Sequence, residues 1–193
     1  CAHEAYLRGN FAKAVSLDPS YAAAFTGLAN KLYYPALFGY MPPRPAFTRV
    51  LDAAAAALKL DPLQAGAHAS AALGKLHLGW SWSEAEEGFR RALRLDPNDS
   101  ETLHFSAHRL LWSGRPLESA RECSRALALD PFNPDLISCL GFHYLLSGDE
   151  KNALQEARRA LAFDPTHGWS LMTLGWIYEQ KGMFQESLSA LRK

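Results

Sequence analysis

The chain has 193 residues, enough for one domain on the usual scale of about 100–200 residues. It is 48% hydrophobic and 21% charged, which permits a sizeable core and argues against disorder. Twenty Lys and Arg against twenty Asp and Glu leave no net charge, removing the usual electrostatic reason for non-specific binding to nucleic acid or acidic membranes. The longest uncharged stretches, such as residues 165–178, run to 14 residues, short of the ~18 that suggest a membrane span. The three cysteines, Cys1, Cys123 and Cys139, form no CxxC pair and read as reduced thiols in a cytosol-like compartment.

An internal repeat dominates the chain. Five segments end alike, at Ala14-Val-Ser-Leu-Asp-Pro19, Ala57-Leu-Lys-Leu-Asp-Pro62, Ala92-Leu-Arg-Leu-Asp-Pro97, Ala126-Leu-Ala-Leu-Asp-Pro131 and Ala160-Leu-Ala-Phe-Asp-Pro165. Their prolines are 43, 35, 34 and 34 residues apart. Gly114 and Gly148 each precede the next of these prolines by 17 residues, and Gly182 follows Pro165 by 17. Between these marks, apolar and small residues recur at separations of three and four, one face of a helix, as in Ile137, Leu140, Gly141 and Tyr144.

Each unit therefore reads as two helices. A proline disfavours helical geometry in the Asp before it and stops the second helix. Asn133 before Pro134 is an N-cap with proline at the first helical position, and the mid-repeat glycines suit the turn. In chain order the helices are expected at residues 21–33, 47–59, 64–78, 83–94, 100–112, 117–128, 134–146, 150–162, 168–181 and 184–191.

A 34-residue helix-turn-helix unit ending in Ala-Leu-x-Leu-Asp-Pro resembles the tetratricopeptide repeat, with Ile137, Leu140, Gly141, Tyr144, Gly148, Ala153, Ala160 and Pro165 as the best match. The resemblance implies an all-α solenoid in a right-handed superhelix, covering the chain from Tyr21 onward. The wider sequence resembles, more loosely, repeat regions of bacterial multidomain signalling and regulatory proteins. The array divides into a partial or gapped unit at 1–19, a repeat at 20–62, repeats at 63–97, 98–131 and 132–165, and a truncated last repeat at 166–193.

The pattern departs from regularity in three places. The 20–62 repeat carries nine extra residues within 33–45, a stretch with four prolines that reads as a surface loop. Gly9 precedes Pro19 by only 10 residues, so seven or more are missing: either the first unit is degenerate or a loop near Asn10–Phe11 was dropped, and the dropped loop, with a chain break or abrupt connection there, is the expectation. Leu188 and Leu191 lack a polar capping helix after them, and the chain opens on Cys1 rather than Met, so a fragment of a longer protein is expected.

No GxGxxG, Walker, GxSxG, HExxH or CxxC motif is present, and no enzyme activity or cofactor is expected. His104 and His108 stand four apart on a helix, a spacing that can hold a metal, and Cys139 and Asp135 one repeat on could approach them. The preferred reading is that these histidines line a groove, with no native metal. The second-helix arginines, such as Arg90, Arg94, Arg125 and Arg159, alternate with glutamates and read as a solvated, charge-balanced face.

By the resemblance, first helices line a concave groove. The residues assigned to it are Asn30, Tyr33, His77, His104, His108, Trp112, Phe142, Trp169, Met172 and Trp176. No Lys or Arg is among them, which disfavours the acidic chaperone tails that some relatives clamp. An apolar, aromatic groove of this kind points to a scaffold that binds a peptide or protein segment, with no nucleic acid and no membrane partner. Histidines beside such a ligand predict binding that weakens as pH falls through ~6.5. Self-association through Leu188 and Leu191 or the aromatic loop is the alternative. A cytoplasmic location is expected, or a periplasmic one if a membrane-anchored regulator carries the array.

Overall fold

The computed structural model describes residues 1–37 and 39–192; Phe38, inside the insert, and Lys193 lie outside them. Among the described residues there are helices and turns and no strand. In chain order the helices are α1 (Ala2–Leu7), α2 (Phe11–Leu17), α3 (Ala22–Leu37), α4 (Pro43–Leu60), α5 (Ala65–Gly79), α6 (Trp82–Leu95), α7 (Ser100–Trp112), α8 (Pro116–Leu129), α9 (Pro134–Leu146), α10 (Glu150–Phe163), α11 (Gly168–Gln180) and α12 (Phe184–Leu191). Two compact units form, Cys1–Thr102 and Leu103–Lys193. Within the first, α1 packs on α2, α3 on α4 and α5 on α6, and α3 also meets α5. Within the second, α9 packs on α10 and α11 on α12, and α9 also meets α11. Among the described residues, no helix is long and apolar enough to cross a membrane.

The turns inside the pairs share one geometry. Gly114 N–H bonds to the Leu111 carbonyl and Arg115 N–H to that of Leu110, and the same two bonds recur at Gly148–Asp149 and Gly182–Met183. Each glycine has positive φ, between 73° and 82°. This is the Schellman ending, which satisfies carbonyls left over by the last helical turn. The α3 turn departs from it, Met41 rather than Tyr40 N–H bonding to the Pro35 carbonyl, and so does the α5 turn. There Trp80, not glycine, takes the left-handed conformation, at φ 51°.

Asn10–Phe11 is no chain break, contrary to the sequence expectation. Gly9 (φ 67°) makes the same Schellman turn, with Gly9 N–H on Tyr6 and Asn10 N–H on Ala5. Asn10 then caps α2 through Lys13 N–H. The seven missing residues come out of the helix itself: α2 has 7 residues where α8 and α10 have 14. Two whole turns are removed, so the same face still points inward.

The Asp-Pro ends do more than stop a helix. Asp18, Asp61, Asp96 and Asp164 each accept the backbone N–H two residues on, from Ser20, Leu63, Asn98 and Thr166. These Asx turns explain why the residue before proline is aspartate. The Ser20 and Thr166 hydroxyls, and after them the same backbone N–H groups, hold the Asp18 and Asp164 carboxyls below their usual range, while at Asp61 the Leu63 N–H leads and the Gln64 side chain adds to it.

The insert is mostly helix, a second correction. α3 runs to 16 residues against 13 in α9, and α4 to 18 against 14 in α10. Pro43 and Pro45 fall in the first turn of α4, where N–H groups have no intrahelical partner, so proline costs little there. Pro35 lies in the last turn of α3.

Ala14, Ala57, Ala92, Ala126 and Ala160, the alanines opening each repeated ending, have no exposed surface. A methyl is all the helix crossings admit there. At Gly141 even a methyl is tight: a Cβ would stand 3.3 Å from the Ala153 carbonyl oxygen and from the Ala157 nitrogen. The second helices carry ion pairs: Arg90 and Arg94 with Glu87 are exposed, while Arg125–Glu122 and Arg159–Glu156 have their glutamates largely covered. Such pairs are worth little individually and bear out the charge-balanced face.

Candidate functional site

In the first unit the assigned residues divide between core and cavity. Tyr33 is fully buried. Its ring meets those of Phe47 (6.2 Å) and His77 (5.9 Å), and Phe47 stacks on His77 at 4.3 Å with the planes 10° apart. Phe47 comes from α4, so these rings fill the space between helices and offer a partner little surface. Burial lowers the His77 pKa to about 4.

Asn30 stands in a polar chain instead. Its amide donates to a Glu101 carboxylate oxygen at 2.5 Å, and its carbonyl oxygen meets the Ser70 hydroxyl. These groups edge a cavity of about 490 Å³ whose walls include Thr26, Lys31, Gln64, Asp96, Asp99 and Glu101. Glu101 keeps exposed surface, yet the surrounding protein desolvates its carboxyl and raises the pKa to about 7; Asp99 adds to the rise and the Asn30 bond opposes it. This wall is polar and acidic, not apolar as the sequence suggested. The acidic members were missed because Asp96 ends α6 and Asp99 and Glu101 lie at the start of α7, outside the first-helix stripe assigned to the groove.

In the second unit the assigned residues converge. His104 and His108, 5% and 4% exposed on α7, face each other with their Nε2 atoms 3.1 Å apart. Cys139 Sγ on α9 lies 3.7 Å from His108 Nε2 and 3.3 Å from His143 Nε2. His143 Nδ1 meets the Ser119 hydroxyl at 2.8 Å, and that hydroxyl donates to the Ala107 carbonyl at 2.6 Å. Because the Ser119 proton is directed at Ala107, its oxygen accepts from His143 Nδ1–H, which leaves His143 Nε2 as a lone pair aimed at Cys139.

Desolvation keeps His104, His143 and Cys139 neutral. It lowers the His104 pKa to about 4 and that of His143 to about 3, and with Cys123 nearby it raises the Cys139 thiol. Asp135 is drawn off to His167, 3.0 Å from its Nε2, and does not join the cluster. Neither His143 nor Ser119 was singled out from the sequence. A signal for His143 existed: Cys139 and His143 repeat the His104, His108 spacing 35 residues later. Ser119, on a second helix, gave none.

The aromatic members gather beside this cluster. Trp112 stacks on His108, with ring centres 5.5 Å and planes 18° apart. Phe142 meets Trp169 edge-on at 4.8 Å and Trp176 at 5.6 Å. Phe142 is 9% exposed and Trp176 38%, while Trp112, Trp169 and Met172 are half-buried. A continuous ring surface thus reaches solvent through Trp176.

No family model matches the sequence, and no curated protein does. Solved structures do match. YrrB, described as a TPR protein with an unusual peptide-binding site, is 21% identical over 94% of this chain and 89% of its own, with a TM-score of 0.57. Pseudomonas aeruginosa pilF is 19% identical over 90% of this chain and 74% of its own, with a TM-score of 0.68. Human IFIT1, solved as a dimer with m7Gppp-AAAA, is 19% identical over 94% of this chain but 44% of its own, with a TM-score of 0.77. Paired helices, Schellman turns and Asp-Pro endings recurring at the same register, together with these likenesses, establish that this chain has the tetratricopeptide-repeat fold.

Proposed function

We propose that the chain is a protein–protein interaction scaffold that takes a peptide or protein segment on its first-helix face, as part of a larger regulatory protein. The observation that carries this reading is the Phe142–Trp169–Trp176 cluster, built from two successive first helices and open to solvent through Trp176. Rigid aromatic surface of this kind supplies most of the energy in protein interfaces. The peptide-binding site ascribed to YrrB is in keeping with it. The capped RNA bound by IFIT1 is not carried over, since this chain has no net charge and its first-unit cavity is walled by Asp96, Asp99 and Glu101. Selection of a displayed peptide library on the untagged chain, counter-selected with Trp176→Ala, tests the proposal. Enrichment of aromatic or apolar peptides that Trp176→Ala no longer holds is expected; sequences retained equally by both proteins overturn it.

Self-association is a second reading, favoured by one feature. α12 leaves Phe184, Leu188 and Leu191 exposed at 63%, 44% and 49%. Light scattering across a concentration series decides it: a mass that stays monomeric removes this alternative.

A further inference from the structure

We propose that His104, His108, Cys139 and His143 form a binding site for a borderline-soft divalent ion of the zinc class. Two helices each present a pair of donors four residues apart, His104 and His108 from α7, Cys139 and His143 from α9. Along the series His104 Nε2, His108 Nε2, Cys139 Sγ and His143 Nε2 the successive gaps are 3.1, 3.7 and 3.3 Å. Metal bonds of about 2.0–2.3 Å in a tetrahedron put neighbouring ligand atoms roughly 3.3–3.8 Å apart. The ligand atoms of His104, His108 and Cys139 all lie within 4.8 Å of one another, as do those of Cys123, Cys139 and His143, so Cys139 joins the two groups and a tetrahedral shell requires His143 to close toward His104.

The chemistry selects the ion. Imidazole and thiolate suit zinc or its close analogue cobalt, whereas magnesium and calcium need oxygen ligands, and no carboxylate belongs to this donor set. All four side chains are nearly inaccessible, at 5%, 4%, 3% and 0% exposure, and a structural zinc site is closed in this way. The Ser119 hydroxyl acts from outside the shell. By accepting Nδ1–H from His143 while donating to Ala107, it fixes the tautomer whose Nε2 lone pair faces inward. Binding replaces the Cys139 thiol proton by the metal, the proton leaves to solvent, and no electron is transferred. Without metal the same four groups make a neutral hydrogen-bond chain, and that is the competing explanation of the cluster.

The test uses the full chain without a His-tag, stripped with a chelator and titrated with Co²⁺ alone, then with Zn²⁺ against a chromophoric chelator. One equivalent of Co²⁺ is expected, with a thiolate charge-transfer band in the near ultraviolet that Cys1→Ser retains and Cys139→Ser abolishes. His108→Gln and His143→Gln should each weaken Zn²⁺ about tenfold or more, as should Ser119→Ala through the orientation of His143. Circular dichroism and melting of each variant separate lost binding from lost folding, and the wild-type spectrum stands whatever the variants do. No uptake by the wild-type chain, uptake without the charge-transfer band, or affinity unmoved by both His108→Gln and His143→Gln overturns the site. None of these outcomes bears on peptide binding at Trp176.

Discussion

The Asn30 amide donates to the Glu101 carboxylate, joining residues 71 positions apart across the first-unit cavity. That single bond does not offset the desolvation of the carboxyl by the surrounding protein, and its pKa stands near 7 against an ordinary 4.5. Between those values the unfolded chain ionises Glu101 while the folded chain keeps it protonated, so its contribution to stability falls as pH rises through about 7. Glu101→Gln should therefore gain stability relative to the wild type between pH 5 and 8. Urea denaturation of both proteins at intervals across that range checks it, and a difference that does not vary with pH would refute the assignment.

Ala160 has no exposed surface at its helix crossing. Ala160→Leu should destabilise the chain by about 1–3 kcal/mol through overpacking. An unchanged melting curve would show that the repeat register is misplaced.

Two turn residues should move stability in opposite directions. Gly148 has φ 82° with open space where a Cβ would go, so Gly148→Ala meets backbone strain alone and should cost about 1 kcal/mol. Trp80 is 72% exposed at φ 51°, and Trp80→Gly should gain up to about 1 kcal/mol by relieving that strain. Denaturant midpoints read both.

A peptide held at the Phe142–Trp169–Trp176 surface should lose about 2 kcal/mol or more with Trp176→Ala or Phe142→Ala if that residue is a hot spot. Its affinity should change little with salt, because the wall carries no charge. Burial holds His77, His104 and His143 neutral down to about 4, 4 and 3, so these three should give no drop in binding near pH 6.5 of the kind the sequence suggested. Titration calorimetry at pH 7.5 and 5.5 checks this, and a protonation-linked loss would mean an exposed histidine takes part.

The sequence by itself determined the repeat, its two helices and their ends, because those are set by local chemistry. Glycine permits the positive φ of a Schellman turn, aspartate before proline closes an Asx turn, and a fixed period keeps one face apolar. It misjudged the insert and the first unit because counting spacings cannot say whether residues enter or leave a helix or a loop. Pro43 and Pro45 look like loop residues until they are placed in the first turn of α4. Only the tertiary structure decided which first-helix residues are core and which are surface. Phe142 and Trp176 each stand 11 residues after the proline of an Asp-Pro ending, yet the first is 9% exposed and the second 38%. The same holds for the polar groups: the spacing set His104 beside His108 on one helix, but Cys139, His143 and Ser119 reach them only because α7, α8 and α9 pack together. Burial and convergence depend on which helices become neighbours, a property of the whole chain that no single helix encodes.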